Sequence, residues 1–297
     1  VETKISIPKA IDAPVSAGKT LLTFERGRAQ AAVKLSGDRV SFSRLTVESG
    51  RSRVHGDVTL YFDTARGLDI QGNGELELSD FGHIAELPWS GRGSANYSIV
   101  GPYSDVKVDA SLSLRDFTFW GFGLGVTQAK LSYSNGVLSF PSLTGQKGRT
   151  QYFGNAKLAF ARLLHLRLDV TVPQGRTEDL VAGLSPSIAV VQGQFAGAAS
   201  GRVEIDSPLE KLEGLVAFDL RDTTYLGRRL GAGSARLRFV DGKEMVLERT
   251  VLDGRLGRTW VEGSFGFAAG ALDYRFGGEN LSLAEAVGQE TAEAMGI

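Results

Sequence analysis

Strict alternation of apolar and polar residues recurs along this chain, and it leaves few folds open. In VKVDASLSLR (106–115), Val106, Val108, Ala110, Leu112 and Leu114 fall on one side, and Lys107, Asp109, Ser111, Ser113 and Arg115 on the other. LHLRLDVTV (164–172) sets Leu164, Leu166, Leu168, Val170 and Val172 against His165, Arg167, Asp169 and Thr171. ALDYRF (271–276) sets Leu272, Tyr274 and Phe276 against Asp273 and Arg275, and GELELSD (74–80) sets Leu76 and Leu78 against Glu75 and Glu77. A period of two marks a strand with one apolar and one solvated face. Antiparallel sheets read this way, whereas parallel strands covered on both faces read as unbroken apolar runs. The expected fold is all-β and antiparallel.

The alternation is also repeated. Residues 102–136 align without a gap on 208–242, an offset of 106. The matches include Pro102 with Pro208, Leu114-Arg115-Asp116 with Leu220-Arg221-Asp222, Thr118 with Thr224, Gly125 with Gly231 and Gly136 with Gly242. GRTQYFG (148–154) resembles GRTWVEG (257–263) and GRSRVHG (50–56). The chain therefore reads as three repeats, 1–87 (incomplete at its start), 88–185 and 186–297, together one elongated domain. Each carries five or so strands.

Each repeat closes on a short helical stretch: LSDFGHIAEL (78–87), RTEDLVAGL (176–184) and LSLAEAVGQE (281–290). Ser79, Thr177 and Ser282 are the expected N-caps. Two turns are too short to stand alone in water, so each helix must pack on a sheet or plug its end. Glycine is 38 of 297 residues while proline is only 8, so the glycines punctuate hairpins rather than forming a linker. Asp116 and Asp222 occupy equivalent positions in a glycine-rich bend around which Phe117, Phe119, Trp120 and Phe122 pack. Copies in equivalent places argue for a structural turn role.

Little in the chain carries chemistry. A formal net charge of −1 gives no electrostatic case for nucleic acid or for an anionic membrane surface. Without cysteine there is no disulfide and no thiolate, which fits a cytosol and equally a Gram-negative periplasm. No run of 18 apolar residues would span a membrane as a helix. The opening VETKISIPKA has neither an initiator Met nor a signal-peptide core, and the expectation is an internal segment of a longer protein. His55, His83 and His165 lie in different repeats without metal-ligand spacing and read as surface or edge residues. GFGLG (121–125) opens no long helix, so it is a hairpin bend rather than a phosphate loop. No catalytic, cofactor or metal residues are expected, and the chain reads as a non-enzyme.

The feature left over is the apolar face. The plain alternative is a closed sandwich or barrel core. With so little helix, however, a repeated meander extends into one long sheet that curls into a U. Soluble proteins seldom expose apolar patches beyond a few hundred Å² without a use for them. Acyl chains would fill such a gutter, each buried CH₂ contributing about 0.8 kcal/mol. The expected lining is Val106, Val108, Leu112, Leu114, Leu164, Leu166, Leu168, Val170, Leu272, Tyr274 and Phe276.

The stretch IVGPYSDVKVDASLSLRDFTFWGFGLGVTQAKLSYSNGVLSF (99–140), continued by GRTQYFGNAKL (148–158), resembles the repeats of the AsmA superfamily, in particular its TamB branch. Shared features are a proline ahead of an alternating strand, a glycine-marked bend, a leucine-rich hairpin and a second glycine strand. The resemblance covers most of the chain, most clearly 91–173 and 193–276. It implies a long taco-shaped β-groove crossing the Gram-negative periplasm within an inner-membrane-anchored protein. It further implies phospholipid transport toward the outer membrane, with membrane contact through parts of the protein beyond this segment. Alternatively it implies a scaffold for assembling outer-membrane β-barrel proteins with a BamA-like barrel partner, its sheet edges pairing with client strands. A transmembrane barrel wall fits less well, because helices interrupt the strands and aromatics gather at bends rather than in two girdles.

Overall fold

A computed structural model of the chain describes residues 2–7, 11–14, 20–24, 27–81, 89–119, 122–184, 194–266, 271–282 and 285. The fold is all-β, as the alternation requires. Two compact units are distinguished, Val1–Gly145 with Asn155–Arg162, and Gln146–Gly154 with Leu163–Ile297.

The first unit opens with β1 (Glu2–Ile7) and a separate hairpin, β2 (Ile11–Pro14) with β3 (Thr20–Phe24). Then come β4 (Gly27–Leu35), β5 (Arg39–Ser49), β6 (Ser52–Tyr61), β7 (Leu68–Glu77), β8 (Trp89–Gly101), β9 (Lys107–Phe119) and β10 (Phe122–Ser134). β1 pairs with β4, and from β4 to β10 every strand pairs antiparallel with the next. β11 (Val137–Lys147) and β12 (Thr150–Phe160) have residues in both units. The second unit continues with β13 (Leu164–Arg176), helix α1 (Thr177–Leu184), β14 (Phe195–Pro208), β15 (Gly214–Tyr225), β16 (Arg228–Val240), β17 (Glu244–Gly254), β18 (Gly257–Gly266) and β19 (Ala271–Glu279). From β13 to β19 the pairing again follows chain order.

The repeat holds six strands rather than five or so. β8–β13 with α1 make the second copy, β14–β19 the third, and β4–β7 match the last four strands of either. The extra strand comes from the stretch before the copied corner, where Trp89–Gly101 and Phe195–Pro208 are glycine- and serine-rich and alternate weakly.

The corner itself is a β-bulge rather than the hairpin bend. Opposite Leu114-Arg115-Asp116 the β8–β9 register slips between Ser90 and Arg92, and opposite Leu220-Arg221-Asp222 the β14–β15 register slips between Ala196 and Ala198. Asp116 and Asp222 take φ of 51° and 49°, a left-handed conformation that aspartate tolerates better than most residues. Gly91 and Gly197 face the two bulges, with the Arg115 and Arg221 carbonyls about 3 Å from where a Cβ would stand. The bulge shifts side-chain parity by one, so Leu114 and Phe117 both turn to the apolar side, where both are buried. Trp120, expected at the bend, lies outside the described residues.

The helical closures differ among the copies. α1 forms over the expected residues, while the first stretch is a 3-10 turn at Leu78–Phe81 and the remainder of 78–87 lies outside the described residues. Of the expected caps, Ser282 acts as one, its hydroxyl accepting from the Glu285 N–H at 3.3 Å. Thr177 does not: Arg176 is still paired to β12 through Thr150, so Thr177 lies inside the helix, its buried hydroxyl without a partner among the described residues. Ser79 also lies inside its turn and donates instead to Glu77.

Candidate functional site on the apolar face of the ladders

Register turns the alternation into rows. In the first unit, consecutive cross-strand partners from β4 to β10 are Val33, Phe42, Val58, Ile70, Ile99, Val108 and Tyr133. Seven strands thus present one unbroken apolar row, each residue half-buried. The neighbouring row on the opposite face, from β5 to β10, is Thr46, His55, Asn73, Asn96, Ser111 and Lys130. Tyr97 lies over its cross-strand partner Gly72 on the apolar side, and burial raises its phenol pKa. An apolar hollow of about 230 Å³ opens over β4–β6, lined by Ala29, Ala31, Val33, Phe42, Leu45, Val47 and Val58.

The second unit repeats the scheme from β13 to β19 with Val170, Val203, Val216, Leu237, Leu247, Gly263 and Tyr274. Its other face carries ion pairs within and across strands. Arg202 meets Asp169 at 2.7 Å and Glu204 at 3.0 Å, and Arg238 meets Glu248 at 2.6 Å. The Arg202 guanidinium holds the Asp169 carboxyl below its usual range, and a hydrogen bond with His165 does the same for Asp206. The apolar rows thus carry no charged residue, while the opposite face holds the ion pairs together with a few apolar residues such as Leu215 and Val246.

The ladder of the second unit curls. Strands lie about 4.8 Å apart, so β15 and β19, four steps from each other, would be about 19 Å apart in a flat sheet. The rings of Tyr225 (β15) and Phe276 (β19) are nevertheless 5.6 Å apart, closer than two leaning side chains could bring them. Phe195 stacks on Tyr225 at 4.7 Å, and Tyr225 is hydrogen-bonded to Tyr274. The apolar side is the concave one.

In both units the apolar face is sealed at the end bearing the helical closure. There Leu78 packs on Leu114 and Phe117, joined by Trp89, Leu112, Phe119 and Leu124. Trp89 also meets Phe119 at 5.4 Å and, from β11, Phe140 at 6.2 Å. In the second unit Leu230, Leu252 and Leu256 form the counterpart, with Phe195, Leu220 and Tyr225 against them.

The expected lining residues separate by how far they are packed. Val108 and Leu112 stand half-buried on the first unit's apolar face, with Val106 just before β9. Leu164, Leu168 and Val170 do so in the second. Leu114 and Leu166, at 3% and 6% exposure, are packed away. Tyr274 and Phe276 are 47% and 42% exposed, and the Leu272 side chain lies outside the described residues. Sequence reasoning missed Val33, Phe42, Val58, Ile70 and Ile99, although VSF (40–42) and DVTLY (57–61) alternate over short windows. His55 bonds Thr46 and His165 bonds Asp206, both on the charged face, and His83 lies outside the described residues.

No family model matches the chain, and neither the curated proteins nor the solved structures contain a match.

Proposed function

We propose that the apolar faces bind the acyl chains of phospholipids, and that the chain is a segment of a periplasmic bridge carrying lipid between the inner and outer membranes. The observation that carries this reading is the row Val33–Phe42–Val58–Ile70–Ile99–Val108–Tyr133, apolar across seven strands yet only half-buried throughout. Among the described residues of that unit, packing other than strand on neighbouring strand is concentrated at the Leu78–Phe81 turn, at one end of the ladder. A stripe of this kind loses free energy to water at about 25 cal/mol per Å² until something apolar covers it. Flexible hydrocarbon suits it, because the row offers width and no directional polar group. The charged opposite face keeps the loaded segment soluble. The resemblance to AsmA-type repeats adds the periplasmic setting, the inner-membrane anchor outside this segment and a non-catalytic role.

The test is face-specific crosslinking. A photoreactive residue at Ile99 or Val203, on the apolar rows, should label phospholipid co-purified from membranes. The same residue at Asn96 or Glu204, on the charged face, should not. Equal labelling from both faces, or none from either, ends the proposal. Ile99→Asp should fold and lose lipid, because Ile99 is only half-buried. Leu114→Asp and Leu166→Asp are poor tests, since both residues are packed away and the charge would unfold the chain.

A further inference from the structure

Two polar donors stand in the aromatic ends of the apolar faces, and the fold does not use them fully. The indole Nε1–H of Trp89 is buried, with no partner among the described residues. It lies among Phe117, Phe119 and Phe140, with ring centroids at 5.9, 5.4 and 6.2 Å. A buried N–H without an acceptor is rare, because it forfeits its bond to water and gains nothing in return. At the offset of 106, Trp89 corresponds to Phe195 and Phe119 to Tyr225. The third repeat therefore has no indole at this place and has a phenol instead. Tyr225 bonds Tyr274, and in a pair of phenols one O–H is spent while the other remains to donate. That pair sits beside Phe195 and Phe276 on the concave side, with Tyr274 half-open to the face. Both repeats thus place a neutral hydrogen-bond donor among aromatic rings at the end of a hydrocarbon surface, and in the third the exposed Arg228, cross-strand partner of Tyr225, stands beside it.

We infer that these two aromatic ends are subsites for the ester carbonyls of acyl lipids, with Trp89 Nε1–H donating in one and the Tyr225–Tyr274 pair in the other. The inference rests on the acyl-chain reading above and narrows its ligand class. An ester carbonyl is an uncharged acceptor at the junction of chain and headgroup, so a neutral donor at the end of an apolar row matches it. A phosphate would instead be drawn to a cation such as Arg228, and a bare hydrocarbon would leave the donors unpaired. Chains would lie along the rows with the glycerol ester at the aromatic end.

The experiment compares a diester phospholipid with the diether lipid of identical chains and headgroup, which lacks both carbonyls. Binding of each is measured to the unaltered chain, to Trp89→Phe and to Tyr274→Phe. The unaltered chain should prefer the diester by about fivefold, the worth of one net hydrogen bond. Each variant should lose part of that preference through weaker diester binding, with diether affinity unchanged. Tyr274→Phe removes one oxygen from a half-exposed ring and leaves packing intact, so it decides the matter if Trp89→Phe folds poorly. Equal affinity for the two lipids in the unaltered chain, or a preference untouched by Tyr274→Phe, overturns the subsites while leaving acyl binding standing. Failure of both lipids to bind overturns the acyl-chain reading and the subsites with it.

Discussion

The second and third repeats copy each other strand for strand, yet they secure the same turn in opposite ways. In the second, Gly148 and Arg149 turn the β11–β12 hairpin, Gly148 at φ 57°, and the α1 residue Asp179 reaches across to hold it. Its Oδ2 accepts from the Arg149 and Thr150 N–H groups at 2.8 and 3.0 Å and from the Thr150 hydroxyl at 3.0 Å. That hydroxyl in turn accepts from the Arg176 N–H at 2.8 Å. The first repeat does the same with Asp80, Arg51 and Ser52, at 2.7, 2.7 and 2.8 Å. In the third, the hairpin turns on Arg255 and Leu256, between paired Gly254 and Gly257, so Gly-Arg-Thr (257–259) has moved into β18. Leu256 drops into the cluster of Leu230 and Leu252, and the carboxylate of Glu285 meets Arg255 at 3.1 Å on the surface. One turn is fastened by a carboxylate to backbone N–H groups, the other by hydrocarbon. The same fold tolerates either because each device fastens a hairpin already defined by its ladder.

The contrast can be broken from either side. The largest effect is expected from Leu256→Ala, which empties a buried site and should cost about 3 kcal/mol in denaturant unfolding. A loss below about 1 kcal/mol would mean that the third turn is not held by its leucine. Asp179→Ala should cost about 2 kcal/mol by leaving two N–H groups and a hydroxyl unpaired, and Asp80→Ala a similar amount. Gly148→Ala should follow at about 1 to 2 kcal/mol, since its Cβ would overlap the Asp179 carboxylate at a positive φ. Glu285→Ala, by contrast, removes only a surface ion pair and should stay within about 0.5 kcal/mol. If Glu285→Ala matched Asp179→Ala, the two turns would be fastened alike after all.

The smallest effect is in pH. Burial would raise the Glu178 carboxyl at the start of α1, but it is outweighed by N–H bonds from its own backbone and Gly197 and by Arg176, so its pKa is lowered. A carboxyl lowered by folding stabilises above its unfolded value and loses that contribution as pH falls through the folded one. The second repeat should therefore weaken below about pH 4. Amide exchange at Gly197, compared at pH 5 and pH 3 with Glu178→Gln as the reference, reads this directly; identical behaviour of the two proteins would exclude it.

Much of this architecture could be read from the residues, and the gaps have physical causes. Strand faces were legible wherever alternation ran longer than six residues, as in 106–115 and 164–172, because side-chain direction in a strand is a local property. The weakly alternating β8 and β14 were not, since glycine and serine suit either face. Thr177 looked like a cap from its position, but capping depends on where the preceding strand ends, and the β12 partner of Arg176 decides that. Leu114 and Leu166 carry the same pattern as Val108 and Leu168. Their burial comes from elements packed against one end of a ladder, which no periodicity reports. The copied Leu-Arg-Asp was visible as a structural corner, while its nature as a bulge depended on Gly91 and Gly197, about 25 residues upstream.

The pairing of each strand with its successor sets how such a chain acquires its structure. In the first unit the start departs from that rule: β2 and β3 form a hairpin of their own, and β1 skips it to join β4. Elsewhere a strand finds its partner across one turn or one connection carrying a helical closure, so closing each rung costs little loop entropy. Sheets dominated by distant pairings fold slowly because that entropy must be lost before contacts form. Here rungs can be added one hairpin at a time as the chain emerges, each new strand templated on an edge already in place. The growing edge is the exposed part of the process, and the β1–β4 rung can form only once the chain has passed the β2–β3 hairpin.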